Sequence, residues 1–213
     1  MRSAADMPDV GWPEPAFAAG RIESTLSCCP SSRQSSTSFV ATTSPFTGCR
    51  NLKPILGTVR SVKVAVAFDH RGVHLRDTIL ETLREDGHEI VDLGTDTDAV
   101  RIDYTDKAVE IAAAVKDGEA ERGVLVCGSG VGAAVAASKI AGIRAAICHD
   151  VYSAHQGVEH DDMNVLCLGS EVVGPSLTAD LVRTFLAARF DGEERHAARL
   201  EKIRRIEEGM LNG

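Results

Sequence analysis

The chain has 213 residues, of which 44% are apolar and 4% aromatic, and a formal net charge of −8. This length suffices for one α/β domain whose core consists mainly of Val, Leu, Ile and Ala. The acidic balance argues against a nucleic-acid partner, and no apolar run approaches the roughly 18–20 residues that a membrane span needs.

The first 60 residues differ in composition from the rest of the chain. They are rich in Ser, Thr and Pro and lack a sustained apolar period, so they cannot bury enough surface to offset the entropy of ordering. They also lack the basic start and the apolar stretch of a secretory signal. We expect residues 1–60 to be a disordered extension and residues 61–213 to form the folded domain with its C-terminal helix. The sequence leaves open whether the native protein begins further downstream.

Six cysteines fall into two groups, three in the extension and three near the ends of predicted strands: Cys28, Cys29 and Cys49, and Cys127, Cys148 and Cys167. Their spacing matches neither a paired metal site nor a disulfide framework. Because reduced cysteines are typical of the cytoplasm, we expect a cytoplasmic protein.

Beyond residue 61, short apolar runs alternate with segments of helical periodicity. Five strands are predicted, at 62–68, 89–93, 123–127, 143–148 and 164–168. Helices are predicted between successive strands, and a further one covers 175–188 after the fifth strand. Strands that alternate with helices indicate a parallel sheet covered on both faces. We therefore predict a three-layer αβα, Rossmann-like fold with a five-stranded parallel sheet.

A last predicted helix has an apolar stripe of its own, formed by Leu200, Ile203 and Ile206 with Met210 one turn on. We expect this stripe to pack on a second copy of the chain. The prediction is a homodimer, with a tetramer left open.

The strand at 123–127 runs into a glycine-rich turn, GSGVG at 128–132, and then into a helix. Ligands of parallel sheets bind beyond the carboxyl ends of the strands. This turn, Asp69 and His70 all follow predicted strands, so we expect them at the same edge of the sheet. Backbone N–H groups in such a turn suit an anion or an oxyanion. Cys127 ends the strand, where a helix N-terminus favours a thiolate that can act as a base. The alternative from the pattern alone is a buried cysteine with no chemical role.

The same turn also fits a dinucleotide-binding pattern. Gly128, Gly130 and Ala133 match G-x-G-x-x-G/A, and Asp150 follows about 20 residues later, as that fingerprint requires. However, the fingerprint usually belongs to the first βαβ unit of its domain, whereas this turn belongs to the third. Dinucleotide binding is therefore the less favoured interpretation.

Several short segments together make the sequence similar to a known family. They are AFDHRG at 67–72, DY at 103–104, CGSGVG at 127–132, ASK at 137–139, GIRA at 142–145, YSA at 152–154, HDDMNVL at 160–166, and RH at 195–196 with Arg199. In this order, over about 62–206, they resemble ribose-5-phosphate isomerase B, whose relatives include galactose-6-phosphate isomerase. The extension is not covered by the resemblance.

The resemblance implies an aldose–ketose isomerase that moves a proton between C1 and C2 of a small phosphorylated sugar through an enediolate. No metal and no organic cofactor are implied. Cys127 would be the base, Ser129 would assist through its hydroxyl, and His160 would open the furanose ring. The oxyanion would be lined by the backbone amides of the turn, those of Gly128, Gly130 and Gly132.

The resemblance also implies how the substrate is held. Asp69 would contact the sugar hydroxyls, with Tyr104 alongside and Asp161 next to the enediolate. The phosphate would be held by basic residues, namely His70, Arg195, His196 and Arg199. The two arginines are four residues apart and hence share one face of a helix, as a bidentate phosphate contact requires.

Some positions depart from the family pattern. Asp161 stands where Asn is common, Glu171 where Arg is common, and Thr105 and Val158 replace the more usual Pro and Arg. These changes leave the physiological sugar open. His160 beside two aspartates would also suit a metal ion, but no second His or Cys lies at ligand spacing in the sequence.

The predicted function is the interconversion of ribose 5-phosphate and ribulose 5-phosphate. One alternative is the same reaction on another sugar phosphate of four to six carbons. A second is a non-catalytic relative that binds a phosphorylated sugar. The presence of Cys127, Ser129 and His160 argues against the second, because a pure binder needs no acid–base residues.

Overall fold

The computed structural model describes residues 60–210, so the expected disordered extension lies outside the described residues apart from its last position. The strands are β1 (Lys63–Phe68), β2 (Glu89–Asp92), β3 (Arg122–Cys127), β4 (Ala145–Ile147) and β5 (Val165–Gly169). The helices are α1 (Arg76–Glu85), α2 (Tyr104–Lys116), α3 (Val131–Ala137), α4 (Val151–Asp161), α5 (Pro175–Ala187) and α6 (Glu194–Glu207). Within residues 60–210, none of the helices is long and apolar enough to span a membrane.

The five strands form one parallel sheet in the order β2-β1-β3-β5-β4. Successive side chains of a strand point to opposite faces, so Val64 and Val66 meet α1, α4 and α5, while Ala65 and Ala67 meet α2 and α3. Helices therefore cover both faces of the sheet. The predicted three-layer αβα fold is confirmed.

The two faces of the sheet are packed with side chains of different size. Ile79, Leu181 and Phe185 are among the large side chains buried on the face under α1, α4 and α5. The face under α2 and α3 is built mostly from alanine, so these helices approach the sheet closely. A Cβ added at Gly123 would lie 3.0 Å from the Ile111 side chain. This close packing holds α2 and α3 against the sheet, and α3 begins within the glycine-rich turn.

β4 is shorter than the predicted strand at 143–148. It lies at the edge of the sheet and pairs only with β5 over three residues. The Ile143 N–H donates to the Ile140 carbonyl at 3.0 Å, and the Arg144 N–H donates to Asn164 Oδ1 at 2.8 Å. The Ile143 N–H is thus used by the turn after α3 and the Arg144 N–H by a side chain next to β5, so the strand begins only at Ala145.

α4 begins where Asp150 caps it. The Ser153 N–H donates to Asp150 Oδ1 and the Ser153 hydroxyl donates to Oδ2, both at 2.8 Å. These bonds, the backbone one foremost, hold the pKa of Asp150 below its ordinary value. The dinucleotide interpretation requires the Asp150 carboxylate to bind a ribose, but in the structure this carboxylate caps α4.

α6 packs against α4 and carries the apolar stripe predicted for the last helix. Leu200 and Ile203 are half-buried within the same chain, whereas Ile206 and Met210 are exposed. Only the end of the stripe is thus left open for a second copy.

His88 supplies the fold with a buried acceptor. Its Nδ1 accepts the Val62 N–H at 3.2 Å, just before β1. Burial lowers the pKa of His88 below its ordinary value of 6.5; nearby Arg189 also lowers it, while Asp86 opposes both effects. The unfolded chain therefore takes up a proton at a higher pH than the folded one.

We predict that His88 makes the protein less stable as the pH falls below about 6.5, because protonation then favours the unfolded state. Thermal unfolding at pH 7.5 and 5.5 should show a smaller loss of Tm for His88→Asn, whose amide oxygen can still accept the Val62 N–H. His74→Asn, a change at an exposed histidine, is the control and should keep the wild-type pH dependence. An unchanged pH dependence in His88→Asn would contradict the assignment.

Candidate active site

A cavity of about 990 Å³ opens at the carboxyl edge of the sheet. The ends of β1 and β3, the segment 98–103 and the start of α2 form its wall. The structure brings seven of the predicted site residues to this cavity: Asp69, His70, Tyr104, Cys127, Gly128, Ser129 and Gly132. The expectation that the β1 and β3 loops share one edge is confirmed.

Cys127 is the last residue of β3 and lies in the wall of the cavity, with 4% of its surface exposed. Its Sγ accepts the Gly130 N–H at 3.1 Å, and a donor in this position stabilises negative charge on sulphur. The other two cysteines of residues 60–210 lack such a setting. Burial raises the pKa of Cys148 to about 11, with Asp150 adding to the effect, and burial also raises the pKa of Cys167.

Close packing explains why glycine occupies positions 130 and 132 of the turn. Gly130 has a φ of +80°, and a Cβ there would lie 2.9 Å from the Leu168 carbonyl carbon. A Cβ on Gly132 would lie 2.7 Å from the Tyr104 ring. Ser129 stays exposed at the tip of the turn, where its Oγ accepts the Val131 N–H at 3.4 Å. These glycines are needed to seat the turn, and a bound pyrophosphate is not required to explain them.

Asp69 and His70 follow β1 and organise the opposite wall. Asp69 is buried, and its Oδ1 accepts the N–H groups of Arg71 at 2.9 Å and Gly72 at 2.7 Å. His70 Nδ1 lies 3.1 Å from the Ile102 carbonyl. Because a carbonyl can only accept, Nδ1 carries the hydrogen, which leaves Nε2 of the neutral ring as an acceptor. His70 thereby ties the segment 98–103 to the cavity.

The cavity contains charged residues to which the sequence analysis gave no role. Arg71 Nη1 forms an ion pair with Glu171 Oε1 at 3.2 Å, and Asp98 and Arg101 lie on the wall as well. Glu171 is placed by its N–H, which donates to the Gly128 carbonyl at 2.9 Å. The departure noted at Glu171 therefore comes with a partner from the β1 loop. The signal that could have found this partner is the position of Arg71 directly after His70.

Of the six remaining predicted residues, Gly130 lies in the turn beside Cys127 and the other five lie elsewhere. None of His160, Asp161, Arg195, His196 and Arg199 lines the cavity, and we call these five the amino-edge group. α4 follows the carboxyl end of β4 and runs back along the sheet, which brings its last turn to the opposite edge. The start of β3 confirms this placement: the Gly123 N–H donates at 2.8 Å to the carbonyl of Asn164, which follows α4, and the Arg122 guanidinium donates at 2.8 Å to the carbonyl of Ala188, which follows α5. Within one chain, His160 and Cys127 are therefore at opposite edges of the sheet.

Two histidines of the amino-edge group stack on each other. The ring centroids of His160 and His196 are 4.1 Å apart, with 29° between the ring planes. His196 is 1% exposed, and its Nδ1 lies 2.8 Å and 3.0 Å from the two carboxylate oxygens of Asp191. Partial burial of Asp191 raises its pKa, but the hydrogen bonds from His196 and the Glu193 N–H hold that pKa below its ordinary value overall.

This arrangement corrects the sequence argument that no second histidine lies near His160. Potential ligand atoms of His160, Asp191 and His196 all lie within 4.8 Å of one another. However, the nitrogen lone pairs of stacked rings run side by side and do not converge on one point, as tetrahedral metal coordination requires. His160 and His196 thus form a stack of two imidazoles, and Asp191 accepts a hydrogen bond from His196. The three residues are not a preformed metal site.

Comparison with known proteins gives consistent results. A family model described as Ribose/Galactose Isomerase matches residues 64–203. Ribose-5-phosphate isomerase B of Escherichia coli is 44% identical over 146 residues, which are 68% of this chain and 97% of that protein. D-erythrulose-4-phosphate isomerase of Pectobacterium atrosepticum is 37% identical over 142 residues, 67% of this chain and 93% of that protein.

The solved structures agree with the fold. The structure of ribose-5-phosphate isomerase B from Mycoplasma genitalium with bound ribulose-5-phosphate has a TM-score of 0.64 and 38% identity. The aligned residues cover 68% of this chain and 96% of the Mycoplasma genitalium chain. The resemblance that the motifs indicated is confirmed.

We predict that iodoacetamide at neutral pH alkylates Cys127 at least about tenfold faster than Cys148 or Cys167. Cys127 has access to the cavity and a donor on its sulphur, whereas the other two thiols are buried and resist ionisation. Peptide mapping by mass spectrometry separates the three sites from the cysteines of the extension. Equal rates at the three sites would contradict the assignment, and Cys127→Ser is the control for the fast-reacting peptide.

Proposed function

The chain belongs to the ribose/galactose isomerase family, and from that premise we propose that it interconverts ribose 5-phosphate and ribulose 5-phosphate. The observation that carries this proposal is the Cys127 sulphur, held by the Gly130 N–H in the wall of the carboxyl-edge cavity. Asp69 and Ser129 line the same cavity. A base, hydroxyl-binding groups and backbone donors thus surround one space.

The reaction needs a base near C1 and C2 and donors for the developing oxyanion. In the proposed mechanism, the Cys127 thiolate takes the proton from C2 of the open-chain aldose, which forms an enediolate. It then returns the proton to C1, which leaves the carbonyl at C2. Backbone N–H groups of the turn at 128–132 would stabilise the negative oxygen. The Ser129 hydroxyl would give a proton to O1 and take the proton of O2, so that C1 ends as an alcohol and C2 as a ketone.

The charges of the cavity indicate where the phosphate must be bound. Its lining includes four carboxylates and two guanidinium groups, and one of the latter, that of Arg71, is paired with Glu171. A phosphate dianion in such a wall needs further positive charge. We propose that Arg195 and Arg199 of the amino-edge group provide it, and that His70 from the cavity itself adds to it in the protonated form, in which Nε2 donates.

These arginines can reach a cavity only if they come from a second copy, and we therefore propose a homodimer. β4 is an edge strand, and exposed apolar side chains surround it: Val131, Val135, Ile147, Val151 and Tyr152. In the proposed dimer the twofold axis is perpendicular to the strands at this edge, so the strands of the two subunits are antiparallel. The amino edge of one subunit then lies beside the carboxyl edge of the other, and each cavity receives His160 from its partner.

The choice of substrate follows from His160. A residue that opens a furanose ring is useful only for a sugar that cyclises, which favours ribose 5-phosphate over a tetrose 4-phosphate. Glu171 and Asp161 carry negative charge where the family commonly has Arg and Asn, and this change favours a different sugar phosphate. A relative that is 37% identical is named for a four-carbon substrate. Isomerisation of another four- to six-carbon sugar phosphate is therefore the second candidate.

Free thiols at all three cysteines of the described residues support a cytoplasmic location.

The test of this function is turnover of ribose 5-phosphate by the full chain. Cys127→Ala should lower kcat by at least about 10³-fold, because it removes the base that the proposed mechanism uses for both proton transfers. Cys148→Ala is the matched control and should keep wild-type activity. A folded wild-type protein that turns over no sugar phosphate in a four- to six-carbon panel would refute the isomerase function. Turnover that survives in Cys127→Ala would refute the assigned base.

The shared site predicts complementation between inactive subunits. Cys127→Ala and His160→Ala each disable both sites of a homodimer, but a mixed dimer has one site with neither substitution. Subunits unfolded and refolded together at equal amounts should therefore regain up to about a quarter of wild-type activity. Each variant refolded alone is the control. No gain in the mixture, when native mass spectrometry shows mixed dimers, would place Cys127 and His160 in the same subunit's site.

A further inference from the structure

Asp191 joins three parts of the amino-edge region, although the mechanism above does not use it. Its N–H donates to the Glu159 carbonyl in the last turn of α4 at 3.0 Å. Its Oδ1 accepts the Glu193 N–H at 2.9 Å, next to the start of α6. Both carboxylate oxygens contact His196 Nδ1. Asp191 thus links the helix that carries His160, through its backbone N–H, to the helix that carries His196, through its carboxylate.

The carboxylate determines which nitrogen of His196 carries a hydrogen. Because an ionised carboxylate only accepts, Nδ1 must be the donor, and the ring is fixed by two contacts to oxygen. The ring is also buried, so it cannot rotate freely. His196 is therefore held in one plane and one tautomer.

His160 receives its orientation from this fixed ring. Its face lies 4.1 Å from His196, and its nearest charged neighbour is Glu159 Oε2, 3.7 Å from Nε2. Rotation of His160 out of the stack would break this contact with His196. The position of the imidazole edge that meets a substrate therefore depends on His196, and through it on Asp191.

We propose that Asp191 is a positioning residue for the opening of the furanose ring, acting through His196 on His160. This inference rests on the proposed function. In ring opening the C1–O4 bond breaks, the anomeric hydroxyl gives up its proton as the C1 carbonyl forms, and O4 takes up a proton. An imidazole can mediate both transfers only when its nitrogen is aligned with the two oxygens, and a shift of about 1 Å can cost 10²-fold in rate.

Two reactions of the same enzyme separate this role from the proton transfer at carbon. Isomerisation of ribose 5-phosphate requires ring opening. Ribulose 5-phosphate cannot form a furanose, because the hydroxyl needed for that ring is phosphorylated, so it enters as an open chain. Incorporation of deuterium at its C1 in D₂O, followed by NMR, therefore needs Cys127 but not ring opening.

We expect Asp191→Asn to lower kcat on ribose 5-phosphate by about 10- to 100-fold and to leave the deuterium incorporation within about twofold of wild type. In this variant an amide NH₂ can face His196 Nδ1 and favour the other tautomer. Asp191→Glu should restore most of the rate, since it keeps the carboxylate. Asp180→Asn, a change at another aspartate, in α5, is the matched control and should alter neither reaction.

The outcomes distinguish the proposals. Equal loss of both reactions, or no rescue by Asp191→Glu, would mean that Asp191 serves the fold alone and would overturn the inference. A wild-type rate on ribose 5-phosphate in Asp191→Asn would overturn it as well. If the wild-type protein itself isomerises no sugar phosphate, the proposed function fails and the inference fails with it. Thermal unfolding of each variant shows whether a lost rate reflects a lost fold.

Discussion

The site depends on how tightly the turn after β3 is seated against the end of β5. The Ser170 N–H donates to the Cys127 carbonyl and the Glu171 N–H donates to the Gly128 carbonyl, both at 2.9 Å. A Cβ on Gly169 would lie 2.6 Å from the Ser129 backbone, so no other residue fits there without a shift. This contact aims the Gly130 N–H at the Cys127 sulphur, and it also brings Glu171 to the cavity wall. One backbone constraint thus positions the base, its donor and a charge that the substrate must meet.

The course of α4, in contrast, separates two predicted site residues, because it takes His160 away from Cys127. A helix that connects two parallel strands must run antiparallel to them, so residues at its end lie at the amino edge. His160 is such a residue, and no local rearrangement of one chain can bring it to Cys127. The family resemblance assigns both residues to one reaction, and the fold places them at opposite edges. The homodimer proposed above reconciles these two findings.

Much of the fold follows from local patterns, whereas the contacts within the site are long-range. The buried strands β1, β3 and β5 are continuous apolar runs, and their positions were predicted to within two residues. The predicted β4 is too long, because the hydrogen bonds of Ile143 to its own turn and of Arg144 to the Asn164 side chain leave no mark in a hydropathy pattern. The stack of His160 on His196 joins residues 36 positions apart, and periodicity cannot reveal it.

The charge of the cavity connects substrate binding to assembly. In one subunit, carboxylates outnumber guanidinium groups on the cavity wall, which opposes the entry of a phosphate dianion. In the proposed dimer, Arg195 and Arg199 of the partner subunit bring the guanidinium groups to four, equal to the number of carboxylates. A ligand that binds only the assembled state stabilises that state by mass action. The sugar phosphate should therefore favour the dimer, and the same arginines that hold the phosphate make catalysis depend on the subunit concentration.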